Sequence, residues 1–329
     1  VVVAVLAYLL APDHSPNANR MVLEIGGQKP GFHQTFLLIR KQRPIAAKSP
    51  IAAWFTGEDD RYDYMPITRY EQQADSLIVQ QFIDEGISER RSFLHVPGDN
   101  AMLIQKKTFW LGTDRYGRDI LSRLIIGVRV SLAVGLITVI LSLSIGILLG
   151  AIAGYFGGTI DHLIMWLLNV IWSIPTLLLV FALTLLLGKG FWQVFIAIGL
   201  TMWVNVARIV RGQVLAVKQL EYVEAAHAMG YSTIRIILRH ILPNILGPVL
   251  VIAASNFASA IVIEAGLSFL GIGVQPPQPS WGLMIKENYN FIITHNPMLA
   301  LVPGFAIMLL VLAFNLLGNG LRDALNVKE

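Results

Sequence analysis

Leu220-Glu221-Tyr222-Val223-Glu224-Ala225-Ala226-His227-Ala228-Met229-Gly230, followed by Tyr231-Ser232-Thr233-Ile234-Arg235-Ile236-Ile237-Leu238-Arg239-His240-Ile241-Leu242-Pro243, is the long amphipathic, charge-bearing segment between strongly apolar runs. Residues 221–229 are good helix formers or small, and Gly230 ends the helix where a left-handed turn costs little. Ser232 or Thr233 caps the next helix, which carries Arg235 and Arg239 on one side and Ile236 and Ile237 on the other. The pattern is a short helix, a sharp turn and a second helix entering an apolar run. A helix lying flat across the mouth of a membrane bundle has this form.

The surrounding composition agrees. Hydrophobic residues make up 55% of the chain and charged residues 14%, against about 25% charged in a soluble domain. Uncharged runs cover 130–160, 163–188, 190–207, 241–263 and 296–321. A span needs about 20 apolar residues, so each run predicts a transmembrane helix, the third borrowing Ile209 and Val210. Residues 1–11 are apolar but too short to cross. They are read as the outer end of a first span; the apolar core of a cleaved signal is the competing reading, although a basic flank and a small-residue cleavage site are absent.

Residues 12–107 differ in kind, with twelve basic and twelve acidic residues and no run long enough to span. Residues 32–39 and 92–96 read as strands and 71–87 as strand or helix, which predicts a small insert of mixed α/β or mostly β structure. After it comes Leu111-Gly112-Thr113-Asp114, then Gly117-Arg118-Asp119. Thr113 or Asp114 is placed to cap a short interfacial helix with Ile120, Leu121 and Leu124 on its apolar face. Arg115, Arg118, Arg123 and Arg129 read either as contacts to headgroups or acidic partners, or as solvated charges beside a span.

Glu224-Ala225-Ala226, three residues, Gly230 and then Leu242-Pro243 resembles the EAA loop of ABC importer permeases, with His240 where that family has an aliphatic residue. The 111–119 motif, the proline-rich 267–282 stretch and residues 313–325 are similar to the dipeptide and oligopeptide branch, and the resemblance covers roughly 110–327. It implies an all-α polytopic membrane protein with about six transmembrane helices of the permease fold. The small extracytoplasmic insert then lies between helices 1 and 2. Residues 108–327 would form the permease domain and 212–240 its cytoplasmic coupling loop. Carried onto this sequence, coupling falls to Glu221, Tyr222, Glu224, Ala225, Ala226, Met229, Gly230, Leu242 and Pro243. The implied partners are a homologous second permease, two cytoplasmic ATPase subunits that hold ATP and Mg, an external solute-binding protein and membrane lipid. The implied location is the bacterial inner membrane.

Other features come from the residues themselves. Gly146, Gly150 and Gly154 repeat every four residues, the small-residue spacing that allows close helix packing in lipid. Pro175 predicts a kink. Ser255, Asn256 and Ser259 in the 241–263 run, with Glu264 at its far end, and Pro175 are candidates for a pathway or gate. For Ser255, Asn256 and Ser259 the competing role is hydrogen bonding between helices. Trp281 in the 267–282 loop suits the membrane interface. With the 208–239 region inside, five basic residues lie on the cytoplasmic side, joined by Arg322 and Lys328, whereas the short outer loops carry Lys189 and Lys286. That satisfies the positive-inside rule, against which the four arginines before residue 130 count.

No phosphate-binding loop, serine-nucleophile motif or metal-ligand spacing occurs among the seven histidines (14, 33, 95, 162, 227, 240 and 295), and cysteine is absent. The chain is therefore not expected to be an enzyme, and no cofactor is expected in it. A net charge of +4 gives no argument for nucleic acid. The reading is a permease subunit of an ATP-driven importer, for peptides or, in the same branch, for nickel, glutathione or sugars. The alternatives are an ion-coupled secondary transporter, which usually carries ionisable residues inside its spans, and an assembly scaffold.

Overall fold

The computed structural model describes the chain except residues 43–47, 74–75, 85, 95–101, 189, 294–295 and 326–329. His95, His295, Lys189, Lys328, the end of the strand expected at 92–96 and the end of the domain expected at 108–327 lie outside the described residues. The rest divides into two compact units, Val1–Val130 with Pro276–Ala306, and Ser131–Gln275 with Ile307–Glu329.

The first unit begins with two short turns, α1 (Val2–Val5) and α2 (Ala7–Leu10), with Ala7, Tyr8 and Ala11 buried beside Ala18 and Ile126. Five antiparallel strands follow: β1 (Phe32–Arg40), β2 (Tyr62–Gln73), β3 (Ser76–Asp84), β4 (Ile87–Leu94) and β5 (Met102–Phe109), in the order β4-β3-β2-β1-β5. The helix α3 (Pro50–Thr56) starts at Ser49, whose hydroxyl accepts from the Ala52 amide. Along β1 the two-residue period puts Phe36 and Leu38 in one cluster with Val22, Ile25 and Phe109. Leu37 joins Ile67, Leu77 and Val79 on the opposite face. The ambiguous 71–87 stretch is strand over most of its described residues, in β2, β3 and the start of β4, and the N-terminal region is β-rich.

Charges are packed inside this unit. Arg118 and Arg123 are 2% and 1% exposed. Asp114 Oδ2 accepts from Arg118 Nε at 2.6 Å, and Glu287 Oε2 accepts from Nη2 of Arg118 at 2.6 Å and of Arg123 at 3.4 Å. Of the readings offered for Arg118 and Arg123, headgroups or acidic partners against solvated charges, the structure gives acidic partners, and it places them inside the protein. Arg115 and Arg129 lie over the Tyr116 and Tyr8 rings.

The short interfacial helix is also corrected. Residues 120 to 156 form one helix of 37 residues, α4 (Ile120–Phe156), about 55 Å long. Asp119 starts it by accepting from the Ser122 amide at 2.9 Å. Asp114 instead ties the preceding turn, accepting from the amides of Tyr116 and Arg118, and Thr113 donates to the Ile25 carbonyl.

In the second unit α4 continues into α5 (Gly158–Trp172) and α6 (Thr176–Leu187), which meet at 90° across Ser173-Ile174-Pro175. Proline there produces a full break where a kink was expected, because it lacks an amide donor and keeps the residue before it out of the helical region. Next comes α7 (Phe191–Lys218), the most enclosed span: 67% of its apolar window is buried. A Cβ on Gly146, Gly150 or Gly154 would approach Val206, the Ala207 carbonyl or the Arg211 carbonyl within 2.9 Å, so α4 and α7 touch backbone to backbone along the glycine face.

The chain then forms α8 (Glu221–Ala228), α9 (Thr233–Ile236) and, through a π turn and a 3₁₀ turn, α10 (Leu246–Leu270). Two final helices, α11 (Trp281–Asn288) and α12 (Met298–Leu325), complete it. The 267–282 loop is thus shorter than expected, helical at both ends. Trp281 is 3% exposed and donates its Nε1 hydrogen to the Leu124 carbonyl at 3.0 Å, so it is a core residue and not an interfacial one.

Among the described residues four helices are long and apolar enough to cross a membrane, and five if the bent α5–α6 pair counts as one. The fold is mostly helical with a β-rich N-terminal region.

Candidate functional site: the α8 turn and a polar cavity

Helix α8 starts after extended Leu220, with Glu221 and Glu224 in its first turn, where the helix dipole favours negative charge. Its inner face is Val223 and Ala226, three residues apart and buried with Val210, Val214, Ile236 and Ile241. Glu221, Tyr222, Glu224, Ala225 and Met229 are exposed. The α8 residues singled out for coupling, with Met229, therefore split: Ala226 fastens the helix and Glu221, Tyr222, Glu224, Ala225 and Met229 face outward.

Gly230 adopts φ +78°. Its amide donates to the His227 carbonyl at 2.9 Å, and the Tyr231 amide donates to the Ala226 carbonyl at 3.2 Å. This pair of bonds is the Schellman closure that glycine makes cheap. Ser232 occupies the cap position of α9, although its hydroxyl makes no capping bond. His240 stacks on Tyr231 at 5.9 Å, while Arg235 lies 4.2 Å over the same ring. The family departure at His240 thus fills an aromatic slot beside the turn. Leu242 is half-buried and Pro243 exposed, both within the 3₁₀ turn that leads into α10.

Polar residues meet elsewhere in the second unit. A cavity of about 460 Å³ is bounded by α5, α6, α7 and α10. Ser255 and Ser259, one turn apart on α10 and exposed, line it together with Asn256. Asn256 is 3% exposed, and its Nδ2 lies 3.5 Å from Ser142 Oγ, so this residue also bridges α10 to α4. Ile174 and Thr176 line the cavity on either side of Pro175.

Glu264 is not in the cavity lining. It was expected at the far end of its helix, yet α10 continues six residues beyond it to Leu270, leaving the carboxylate 1% exposed and accepting from Ser268 Oγ at 2.5 Å. The interior of α10 therefore does hold a buried ionisable group. Sequence reading missed Thr201, Asn205 and Arg208, which α7 contributes to the same cavity. Their four- and three-residue spacing along one helix face was the available signal.

A family model described as the binding-protein-dependent transport system inner membrane component matches residues 146–328, more than half of the chain. The chain belongs to that family. Its permease subunits are not themselves catalytic, and this one is an integral inner-membrane protein.

Curated relatives agree with the family. The permease is 43% identical to the glutathione transport system permease protein GsiD of Pectobacterium atrosepticum, over 67% of this chain and 72% of the relative. It is 41% identical to the oligopeptide transport system permease protein OppC of Bacillus subtilis, over 70% and 75%. Among solved structures, a chain of the MetNI methionine ABC transporter in an inward-facing form aligns with a TM-score of 0.52 at 18% identity. That alignment covers 62% of this permease and 96% of the other chain, and it carries the fold alone.

Proposed function

We propose that this permease forms half of the translocation pathway of an ATP-driven importer of short peptides. Relatives named for oligopeptides, dipeptides and glutathione, itself a tripeptide, support that substrate class. A homologous permease supplies the other half, two cytoplasmic ATPase subunits bind ATP and Mg, and an external binding protein delivers the peptide. Six spans cross the membrane, residues 1–11 ending the first, and residues 12–107 form an extracytoplasmic insert between the first and second.

The observation that carries the mechanism is the outward face of α8. Glu221, Tyr222, Glu224 and Met229 stand exposed on a helix whose other face is packed on α7 and the π turn. An ATPase that grips this face moves α7 and α10 with it, because Val223 and Ala226 share one cluster with Val210, Val214 and Val249. ATP-driven closure of the two ATPases then tilts the bundle between inward- and outward-facing states.

The test is Gly230→Val. A β-branched residue at φ +78° is strained by about 1–3 kcal/mol, which opens the turn. The expected result is a permease that still inserts in the membrane but no longer co-purifies with the ATPase or supports uptake. Normal assembly and transport by that variant rejects the coupling role of α8.

A further inference from the structure

Two arginines lie one turn apart near the α8 end of α7, and they are treated differently. Arg211 is neutralised: its Nε and Nη2 donate to the two oxygens of Asp161 at 2.5 and 2.6 Å. Arg208 has no carboxylate within ion-pair distance among the described residues. Its guanidinium lies 3.6 Å over the Trp172 ring, and Nη2 donates to Asn169 Oδ1 at 3.1 Å. An aromatic face and an amide hold the group in place without cancelling its charge.

That charge borders the polar cavity. The α7 lining runs from Thr201 to Ile209, about 12 Å of helix, and Arg208 lies near its α8 end. The other side chains with hydroxyl or amide groups on the wall, Thr176, Thr201, Asn205, Ser255, Asn256 and Ser259, are neutral. A cavity with one fixed cation at one end attracts an anionic group and orients whatever carries it. Guanidinium geometry matches a carboxylate through two parallel hydrogen bonds, and Nη2 is the donor already engaged.

We propose that Arg208 is a transit site for the α-carboxylate of the transported peptide, drawing the C-terminus toward the α8 end of the cavity. The inference rests on the peptide reading above and adds to it a receiving group and a direction of entry. An anionic lipid headgroup offers related chemistry, and the test separates the two.

The complete importer with its binding protein, in liposomes, is given a labelled tripeptide with a free C-terminus and the same peptide as its C-terminal amide. Each variant is compared with the native complex for the same substrate, which cancels the preference of the binding protein. Arg208→Gln is expected to lower uptake of the free acid roughly tenfold and of the amide less than about twofold, with Arg208→Lys falling between native and Arg208→Gln for the acid because the charge survives while the stacked, two-bond fork is lost. A free-acid tripeptide with a photoreactive C-terminal residue is expected to label the Trp172 region in the native complex and not in Arg208→Gln.

Equal loss for acid and amide, loss that added anionic lipid restores, or unchanged uptake of the acid overturns the proposal. Should the native complex exclude the amide, absence of labelling during active uptake of the acid overturns it. Uptake of neither tripeptide by the native complex rejects the peptide reading itself, which is a distinguishable failure.

Discussion

At the Ile120 end of α4 buried ion pairs surround the helix; toward the Phe156 end its own glycines bring it against α7. In the first unit Asp114, Arg118, Arg123 and Glu287 are buried side by side. In the second, Gly146, Gly150 and Gly154 bring α4 against the backbone of α7. The two arrangements fail differently. Ion pairs hold only if every buried charge keeps a partner, since an isolated one is costly in a low-dielectric interior. Glycine contacts fail only if something is added, because dispersion between close backbones depends on the gap.

Removing one charge tests the first arrangement most severely. Glu287→Ala leaves two buried guanidiniums sharing Asp114 as the one ion-pair partner among the described residues and is expected to cost about 3–5 kcal/mol. Thermal unfolding in detergent would show the loss, and a midpoint within a degree of the native protein would mean that the cluster is hydrated and contributes little. Adding volume tests the second. In Gly150→Val the new atoms meet the Ala207 carbonyl, 2.5 Å from an ideal Cβ, and Val210, at a cost of about 1–3 kcal/mol. If Gly150→Val and Glu287→Ala destabilise equally, the contrast between the two ends of α4 does not hold.

The smallest effect sharpens the charged side. Lys107 on β5 sits beside Arg20, Asp13 and Asp60, and desolvation lowers its pKa to about 8 from 10.5. The unfolded chain therefore binds more protons between pH 8 and 10.5, so stability rises with pH through that window as the folded-state lysine becomes neutral. Lys107→Met is expected to raise the unfolding midpoint slightly at pH 7 and to flatten this rise. An unchanged slope between pH 8 and 10.5 would assign the titration to another group.

Much of the helical half was legible because its signals are local. Apolar runs, the glycine period, Pro175 and the Gly230 turn each act within a few residues, and each has a structural counterpart. The charged half was not. Asp114, Arg118 and Arg123 lie within ten positions, but the carboxylate that completes them, Glu287, is 164 residues from Arg123, and no spacing rule links the two. Trp281 was misjudged for the same reason: an indole suits a membrane interface or a core equally well until its acceptor, the Leu124 carbonyl, is known. Glu264 shows a different limit. The helix was ended at the first charge, yet a hydroxyl one turn on allows the carboxylate to remain inside. In the candidate cavity the α10 residues were readable as polar positions in an apolar run, whereas Arg208 read as part of the basic cytoplasmic flank.

Gly230 has one further consequence. A Cβ there would meet no neighbouring atom within 4 Å, although the backbone stands at φ +78°. The position therefore restricts handedness and leaves size free. A D-alanine, mirror image of the residue that strains the turn, has room at this site and prefers the torsion already present. Among the encoded L residues asparagine comes nearest to sharing that preference. Chirality, not bulk, sets which residues this corner accepts.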